Sequence, residues 1–144
     1  MINIENGEIF IENLTYSLNQ GVKRKSFEKS YPREFIRDIN NINNGYIWFY
    51  IWGSIIGKDN IILMSICFNP NDEIDCINIY PHVNQATKLD WADWSEENFL
   101  KEKVICDKWL SVNLHLNESN IFSWGSISLY SDNRSGIIMK YKYL

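Results

Sequence analysis

The sequence predicts an α+β fold in which an antiparallel sheet of about five to seven strands is covered on one face by one long helix, at about residues 94–115. Two observations support this prediction. Runs of aromatic and β-branched residues, separated by turn residues, occupy the middle and the end of the chain. Between them the apolar residues change to the spacing of an amphipathic helix. The 144 residues contain no linker or low-complexity segment, so we expect a single domain over residues 1–144.

The first part of the chain predicts a hairpin followed by a short surface helix. Apolar residues recur at roughly every second position from Glu8 to Leu18, with one slip near Asn13 that suggests a β-bulge. Gly7 can supply the positive φ of a tight turn, so Ile2 to Glu5 is expected to pair back on this strand. The polar and basic stretch from Val22 to Tyr31, ended by a proline, predicts the helix.

The centre of the chain predicts a loop and then a three-stranded antiparallel meander. Asp38 to Gly45 is rich in Asn, whose side chain competes with backbone ladders, and this favours a loop. Tyr46 to Ile56 and Asn60 to Phe68 are rich in aromatic and β-branched residues and predict a hairpin. Ile74 to Ile79 predicts the third strand, which Pro81 is expected to close.

The last part of the chain predicts the long helix and a final hairpin. Asp93 as N-cap with Glu96 three residues later resembles a capping box, and Glu97 adds negative charge to the helix start. Phe122 to Ser131 and Ile137 to Tyr143 predict the two strands of the hairpin. The second strand alternates, and its expected inward face consists of Ile137, Met139, Tyr141 and Tyr143.

Charge and composition restrict the expected partners. The 14 basic and 18 acidic residues give a formal net charge of -4, which argues against a general nucleic-acid binder because phosphate neutralisation needs a basic excess. A basic protein partner fits this charge better. The chain starts without the pattern of a secretory signal, and its longest apolar run, Tyr46 to Ile56, is too short for a membrane-spanning helix. We therefore expect a cytoplasmic protein that binds neither nucleic acid nor membrane.

The chemistry-bearing residues form no recognisable catalytic or metal-binding pattern. Cys67, Cys76 and Cys106 are an odd number without a Cys-x-x-Cys pair, so we expect buried free thiols. His82 and His115 have no second ligand at metal-binding spacing. Cys106 and His115 would lie roughly 13 Å apart along one helix, too far for direct proton transfer. We expect a protein that is not an enzyme and that needs no metal or other cofactor.

The first-choice binding surface is an acidic segment that leads into the predicted helix. It combines two tryptophans with four carboxylates, and clustered acids attract basic partners while Trp is enriched at binding hot spots. Its acids are Asp90, Asp93, Glu96 and Glu97. The second choice is an acidic turn that contains Asp72, Glu73 and Asp75. A structural alternative stays open, in which the acids complement the helix dipole and Trp91 and Trp94 fix the helix to the sheet.

Several segments in the carboxy-terminal part resemble a small bacterial family. The family has a Trp-x-Asp-Trp-Ser-Glu helix start, an Asp-x-Trp-Leu segment, a Trp-Gly-x-Ile strand and a Tyr-Asp-x-Arg-Ser-Gly turn. These correspond here to Trp91–Glu96, Asp107–Leu110, Trp124–Ile127 and Tyr130–Gly136, the last with Ser131 as an additional residue. The family is similar to immunity proteins that protect bacteria from secreted polymorphic toxins, including those of contact-dependent growth inhibition systems.

The resemblance implies an immunity protein that binds and neutralises a cognate toxin, with a basic nuclease domain as the favoured target. Binding would occlude the active site or the substrate groove, where carboxylates match a positive phosphate path. The alternative is a non-enzymatic structural or regulatory domain. A third hypothesis, an enzyme that uses Cys106, His115 or the carboxylates, fits the residues least. A toxin-encoding reading frame just upstream would favour the immunity protein.

Overall fold

The strands form two antiparallel sheets, and the described residues add two α-helices. The computed structural model describes residues 1–84, 95–109, 111, 119–132 and 136–144. Its elements are β1 (Ile2–Asn3), β2 (Glu8–Ile11), β3 (Tyr16–Leu18), α1 (Arg24–Ser30), β4 (Ile36–Asn41), β5 (Ile47–Gly53), β6 (Ile62–Phe68), β7 (Ile74–Asn84), α2 (Glu96–Trp109), β8 (Ser119–Phe122), β9 (Gly125–Asp132) and β10 (Gly136–Tyr143). The sheet orders are β1-β2-β3 and β4-β5-β6-β7-β10-β9-β8. The α+β class is confirmed, with two sheets where the sequence predicts one.

The amino-terminal hairpin pairs as predicted, but the strand after it is interrupted by a turn. Gly7 has a φ of 76° between the antiparallel strands β1 and β2. The single strand predicted from Glu8 to Leu18 is wrong, because the chain reverses near Asn13 and β3 pairs back on β2. The Oδ1 atom of Asn13 stabilises this reversal by accepting hydrogen bonds from the backbone N (2.9 Å) and Oγ (3.1 Å) of Ser54.

The predicted surface helix is α1, and it is attached to the larger sheet by aromatic side chains. Phe27 is fully buried; its ring stacks on Tyr31 with 4.9 Å between centroids and meets Phe49 edge-on at 5.2 Å. Tyr31 follows the helix with an extended backbone, as is typical before a proline. Its hydroxyl donates a hydrogen bond of 2.7 Å to the carbonyl oxygen of Trp52.

The Asn-rich segment from Asp38 to Gly45, predicted as a loop, begins inside an edge strand. β4 pairs antiparallel with β5, and its residues after Ile36 are exposed. The loop prediction is wrong for this part because an edge strand is paired on one side only, so its polar side chains remain in water. The turn comes later, where Asn44 and Gly45 have φ values of 72° and 82°.

The predicted meander is confirmed by the antiparallel strands β5, β6 and β7. All seven residues of β6 are buried, as is typical of a central strand. β7 does not end before Pro81 as predicted but continues to Asn84. The ladder with β6 shifts in register across this stretch, where Ile62 pairs with Asn84. A proline has no N–H for a regular ladder, and the irregular stretch accommodates it.

The carboxy-terminal strands complete the larger sheet. β9 and β10 form the predicted hairpin, whose turn at residues 133–135 lies outside the described residues. β10 also pairs with β7 and so joins the hairpin to the meander. The single strand predicted from Phe122 to Ser131 is wrong, because a tight turn before Gly125 separates β8 from β9. Glycine is required there because a Cβ atom would overlap the carbonyl oxygen of Lys142.

Helix α2 contacts β7 and β10. Asp93, its predicted N-cap, and residues 112–115 of the predicted span lie outside the described residues. Cys106 is fully buried on this helix, while three apolar residues of the helix are exposed, namely Leu100, Val104 and Ile105. None of the helices in the described part of the chain has the length and apolar character needed to cross a membrane.

The main core lies between the two sheets, because the smaller sheet and α1 cover one face of the larger sheet. Its largest buried residues include Ile9, Ile11, Leu18, Phe27, Phe49, Ile51, Met64, Ile66, Ile77 and Ile79. Met139, Tyr141 and Tyr143 are also in this core, which confirms three of the four predicted inward residues of the last strand. The side chain of Ile137, the fourth, lies outside the described residues.

The ends of the chain meet in a group of aromatic residues that we call the carboxy-terminal aromatic cluster, consisting of Phe122, Trp124, Tyr141 and Tyr143. Trp124 stacks on Tyr141 with 4.8 Å between ring centroids, and its Nε1 atom donates a hydrogen bond of 2.8 Å to the carbonyl oxygen of Ile4. The Tyr141 and Tyr143 hydroxyls both donate to the carbonyl oxygen of Gly7, the latter at 2.8 Å. The amino-terminal hairpin is thereby fastened to the last strand.

Candidate functional site

Three aromatic side chains of β5 lie on the face of the larger sheet that points away from the main core. Successive side chains of a strand point to opposite faces, and Phe49 and Ile51 of β5 are fully buried in the core. Trp48, Tyr50 and Trp52 therefore lie on the other face, where each is partly exposed. We call these three residues the β5 aromatic row. Trp and Tyr in such half-exposed positions are enriched at binding hot spots.

Charged residues of the edge strand β4 border the β5 aromatic row. The guanidinium of Arg37 lies over the ring of Tyr50, with 5.3 Å between its Cζ atom and the ring centroid. Asp38 is the register partner of Tyr50, and its carboxylate is 3.4 Å from the Nε atom of Arg37. The rings of Trp48 and Tyr50 are nearly parallel, with 6.4 Å between centroids. The row thus combines flat apolar rings with one cation and one anion at its open edge.

The other side of the β5 aromatic row is closed by a second, smaller hydrophobic cluster. Tyr50 and Trp52 pack against the buried residues Leu63, Tyr80, Val83 and Ile138. Burial raises the pKa of Tyr80 to about 12, so its hydroxyl stays protonated at neutral pH. This hydroxyl lies 3.4 Å from the Oγ atom of Ser65. The aromatic row is therefore anchored at its inner side and open at its outer side.

A buried polar residue lies further along the same face. Asn78 of β7 is only 5% exposed, and it is the register partner of Ser65 on one side and of Lys140 on the other. Its Oδ1 atom has no hydrogen-bond partner in the part of the chain that the structure describes. The ammonium of Lys140 lies 5.8 Å from the ring centroid of Tyr130. A buried acceptor of this kind is costly to leave unpaired.

All three cysteines are buried and none is joined in a disulfide, as the sequence predicts. Cys67 and Cys76 face each other across β6 and β7, on the face that carries the β5 aromatic row. Burial raises the pKa of the Cys67 thiol to about 12, and burial also raises the pKa of the Cys76 thiol. Both groups are protonated at neutral pH and are poor nucleophiles in that form. The arrangement does not activate either thiol for catalysis.

The first predicted acidic surface is described only in part. Asp90 and Asp93 lie outside the described residues. Glu96 and Glu97 are exposed in the first turn of α2, where negative charge complements the helix dipole. Glu97 also forms an ion pair of 3.2 Å with Lys101 one turn later.

The second predicted acidic surface is paired with the basic segment at the start of α1. The Nε atom of Arg24 is 2.8 Å from a carboxylate oxygen of Asp72, and the ammonium of Lys23 is 3.0 Å from a carboxylate oxygen of Glu73. The hydrogen bond with Asp72 raises the pKa of Arg24. Asp75 is partly exposed as the second residue of β7. Two of the three acids thus already neutralise cations within the chain.

The described residues provide no evident metal centre. No group of three His, Cys, Asp or Glu residues among them is arranged to hold a metal ion. The side chain of His82 and all of His115 lie outside the described residues, so the comparison of Cys106 with His115 stays a prediction. The described part of the chain offers aromatic rings and hydrogen-bonding groups, which suit the binding of another molecule.

The sequence contains a signal for the β5 aromatic row in the spacing of its aromatic residues. Tyr46 to Trp52 has aromatic residues at every second position, so Trp48, Tyr50 and Trp52 share one face of a strand. The intervening residues are also apolar, and this pattern does not tell which face is covered. The sequence places Arg37 at the end of a basic stretch typical of a solvated surface, and it does not indicate that this residue lies over Tyr50. Comparison of the chain with family models, curated protein sequences and solved structures finds no match.

Proposed function

We propose that the protein is an immunity protein that binds and neutralises a cognate bacterial toxin, and that the β5 aromatic row is the centre of its binding surface. The single observation that carries the proposal is the exposure of three adjacent aromatic rings with Arg37 at their edge. Trp, Tyr and Arg are the residues most enriched at hot spots of protein interfaces. The resemblance of the carboxy-terminal motifs to immunity proteins names the class of partner.

Helix α2 adds a second wall to this surface in the proposal. It contacts β7 and β10, and the amino-terminal hairpin occupies the core face of β10 through the hydrogen bonds to Gly7. We therefore infer that α2 lies on the face that carries the β5 aromatic row. The helix exposes Leu100, Val104 and Ile105, so it can add aliphatic side chains to the contact with a partner. A partner that fills it would bury aromatic and aliphatic groups together.

The charge of the chain supports a basic toxin domain, such as a nuclease, acting in the cytoplasm. A net charge of -4 attracts a positive substrate groove, and occlusion of that groove would inhibit the toxin without any chemistry. In this mechanism the acids set the rate of association. The aromatic row sets the lifetime of the complex, because desolvated rings at the centre of an interface mainly slow dissociation.

The test is a growth-protection assay with the product of the reading frame just upstream of the gene, which the proposal expects to encode the toxin. Bacteria that express this product alone should stop growing, and bacteria that also express the chain should grow. Tyr50→Ala and Trp48→Ala should each abolish protection and weaken the purified complex at least about 30-fold, the effect of a hot-spot residue. Absence of protection when both proteins accumulate would refute the immunity proposal and leave the structural or regulatory alternative.

A matched control tests whether protection depends on the β5 aromatic row itself or is lost whenever any exposed apolar side chain is removed. Ile121 of β8 is 87% exposed on the opposite edge of the larger sheet. Five strand spacings separate β8 from β5, which is roughly 24 Å. Ile121→Ala should therefore protect like the wild type. If it fails as Tyr50→Ala does, the β5 aromatic row is not the specific binding surface.

The acidic residues supply a second version of the interface, which has its own test. Replacing Glu96 and Glu97 by Lys should slow association and make it less sensitive to salt if these acids attract the toxin. Replacing Asp72 and Glu73 by Lys should mainly destabilise the start of α1, because their partners are Arg24 and Lys23. If neither raised salt nor either double variant changes toxin binding, the aromatic surface remains as the only interface.

A further inference from the structure

Two cysteines are placed side by side in the larger sheet. Cys67 of β6 and Cys76 of β7 are register partners in an antiparallel ladder, and they are 2% and 4% exposed. They are the last paired residues before the register shift at Phe68, next to the turn that joins the two strands. Cys67 is also the register partner of Trp48, so the pair lies beside the β5 aromatic row.

The geometry of directly opposed residues suits a covalent bond. In an antiparallel ladder the Cα atoms of such residues lie about 4.5 to 5.5 Å apart. A disulfide usually joins Cα atoms about 4.4 to 6.8 Å apart. Both side chains project from the same face of the sheet, so their sulfur atoms can meet without a change in the path of either strand.

We infer that Cys67 and Cys76 form an oxidation site, at which a small hydroperoxide converts the two thiols into a cross-strand disulfide. A hydroperoxide is the appropriate class of oxidant because it is small enough to reach two side chains that are almost fully buried. This inference is independent of the proposed binding of a toxin.

The reaction balances in two steps. The thiolate of Cys76 attacks the O–O bond of the peroxide, which forms a sulfenic acid on Cys76 and releases hydroxide. The sulfur of Cys67 then attacks the sulfenic sulfur, the S–S bond forms, and the leaving hydroxide takes up a proton as water. The two thiols lose two electrons and two protons, and hydrogen peroxide, the smallest hydroperoxide, is reduced to two water molecules. Because the two residues are direct register partners, the same two steps starting from Cys67 give the same disulfide.

The reaction is expected to be slow but specific. Burial keeps both thiols protonated at neutral pH, so the thiolate that reacts is scarce. Cys106, the third cysteine, is on α2 and is not a strand partner of either thiol. Once one sulfur is oxidised, the neighbouring thiol in the ladder reacts before a second peroxide molecule arrives. The product should therefore be a disulfide, without sulfinic acid.

Peptide mapping of the folded wild-type chain tests the inference. The protein is treated with hydrogen peroxide, the peroxide is removed with catalase, and remaining thiols are alkylated in guanidinium. A protease that cleaves after Glu is then used, because Glu73 lies between the two cysteines and no Lys or Arg does. The peptides that carry Cys67 and Cys76 should remain joined until a reductant is added, with the mass of two hydrogen atoms missing. Cys106 should be alkylated.

Two results would overturn the inference. Either Cys67 and Cys76 are both alkylated or separately oxidised after the treatment, or the joined peptides contain Cys106. Cys106→Ser is the matched control, and it should give the same joined peptides at the same rate, because Cys106 takes no part. Loss of the joined peptides in this variant would mean that the oxidation passes through Cys106, which contradicts the proposed pair.

Discussion

The carboxy-terminal aromatic cluster and the β5 aromatic row are built from the same residue types, yet they differ in what covers them. In the cluster, the Trp124 indole and the Tyr141 and Tyr143 hydroxyls donate to backbone carbonyls of the amino-terminal hairpin. In the row, the rings are partly exposed, and Tyr50 has Arg37 over its ring. Aromatic residues at alternate positions of a strand therefore become core or surface residues according to which element covers their face.

The difference has an energetic consequence. Buried aromatic rings with satisfied polar tips contribute mainly to folding, because they lose water on folding and keep every hydrogen bond. Half-exposed rings keep much of their apolar surface in water and gain free energy when a partner covers it. We expect substitutions in the cluster to change the free energy of unfolding, and substitutions in the row to change binding.

The largest expected effect is the loss of Trp124. Trp124→Ala removes the stacking on Phe122 and Tyr141 and the hydrogen bond to Ile4, and it should lower the free energy of unfolding by about 3 to 5 kcal/mol. Trp52→Ala in the β5 aromatic row should cost less than about 2 kcal/mol, because Trp52 is already partly exposed. Urea unfolding measures both. Equal losses would show that the row is part of the core.

The next effect concerns the turn that the cluster covers. Gly7 has a φ of 76°, and a Cβ atom on it would lie 2.5 Å from the indole of Trp124. Gly7→Ala should therefore cost about 2 to 4 kcal/mol, from backbone strain together with the displaced ring. Gly57 has a nearly equal φ of 74° with nothing within 4 Å, so Gly57→Ala isolates the backbone cost of about 1 kcal/mol. A similar loss in the two variants would exclude a tight contact with Trp124.

Alkaline pH should weaken the cluster. Burial raises the pKa of Tyr141 and of Tyr143 above the ordinary value of 10.0. Above about pH 10 the unfolded chain releases these protons while the folded chain retains them, so the unfolded state is favoured as pH rises. Below pH 10 the two hydroxyls should leave the free energy of unfolding independent of pH. Above pH 10 each hydroxyl should lower this free energy by about 1.4 kcal/mol per pH unit.

Tyr143→Phe is the variant that checks this alkaline effect. It removes one of the two tyrosine hydroxyls of the carboxy-terminal aromatic cluster, while the Tyr141 hydroxyl still donates to the carbonyl oxygen of Gly7. The variant should be less stable than the wild type at pH 8 and should lose stability less steeply above pH 10. Parallel stability curves for the two proteins would mean that the Tyr143 hydroxyl is not held protonated by the fold.

The sequence predicts the cluster better than it predicts the row, and the reason is the contrast between faces. In the last strand, apolar Met139, Tyr141 and Tyr143 alternate with Lys140 and Lys142, so the buried face is evident. In β5 both faces are apolar, and only the tertiary structure tells which one the smaller sheet covers.

Other features depend on contacts between distant parts of the chain. The pairing of Arg24 with Asp72 joins residues 48 positions apart, and it turns a predicted acidic surface into an ion pair. β4 is paired because β5 offers a free edge, which local Asn content does not reveal. The continuation of β7 past Pro81 depends on a register shift in its partner strand. Local propensity therefore predicts the meander and the hairpins but misplaces the ends of strands.

The smallest expected effect on stability is the loss of Arg37 at the open edge of the β5 aromatic row. Its guanidinium contacts the exposed side of Tyr50 and a carboxylate of Asp38 that is itself mostly in water. Such exposed cation–π and ion pairs contribute about 1 kcal/mol or less, so Arg37→Ala should shift the urea midpoint only slightly. Arg37→Lys should be closer still to the wild type.

Binding of the toxin should nevertheless weaken in Arg37→Ala, because a partner that covers Tyr50 removes water from the same pair and strengthens it. A loss of more than about 2 kcal/mol in unfolding, with unchanged binding, would place Arg37 among the residues that hold β4 to the sheet, and the contrast between the two aromatic regions would fail at this edge.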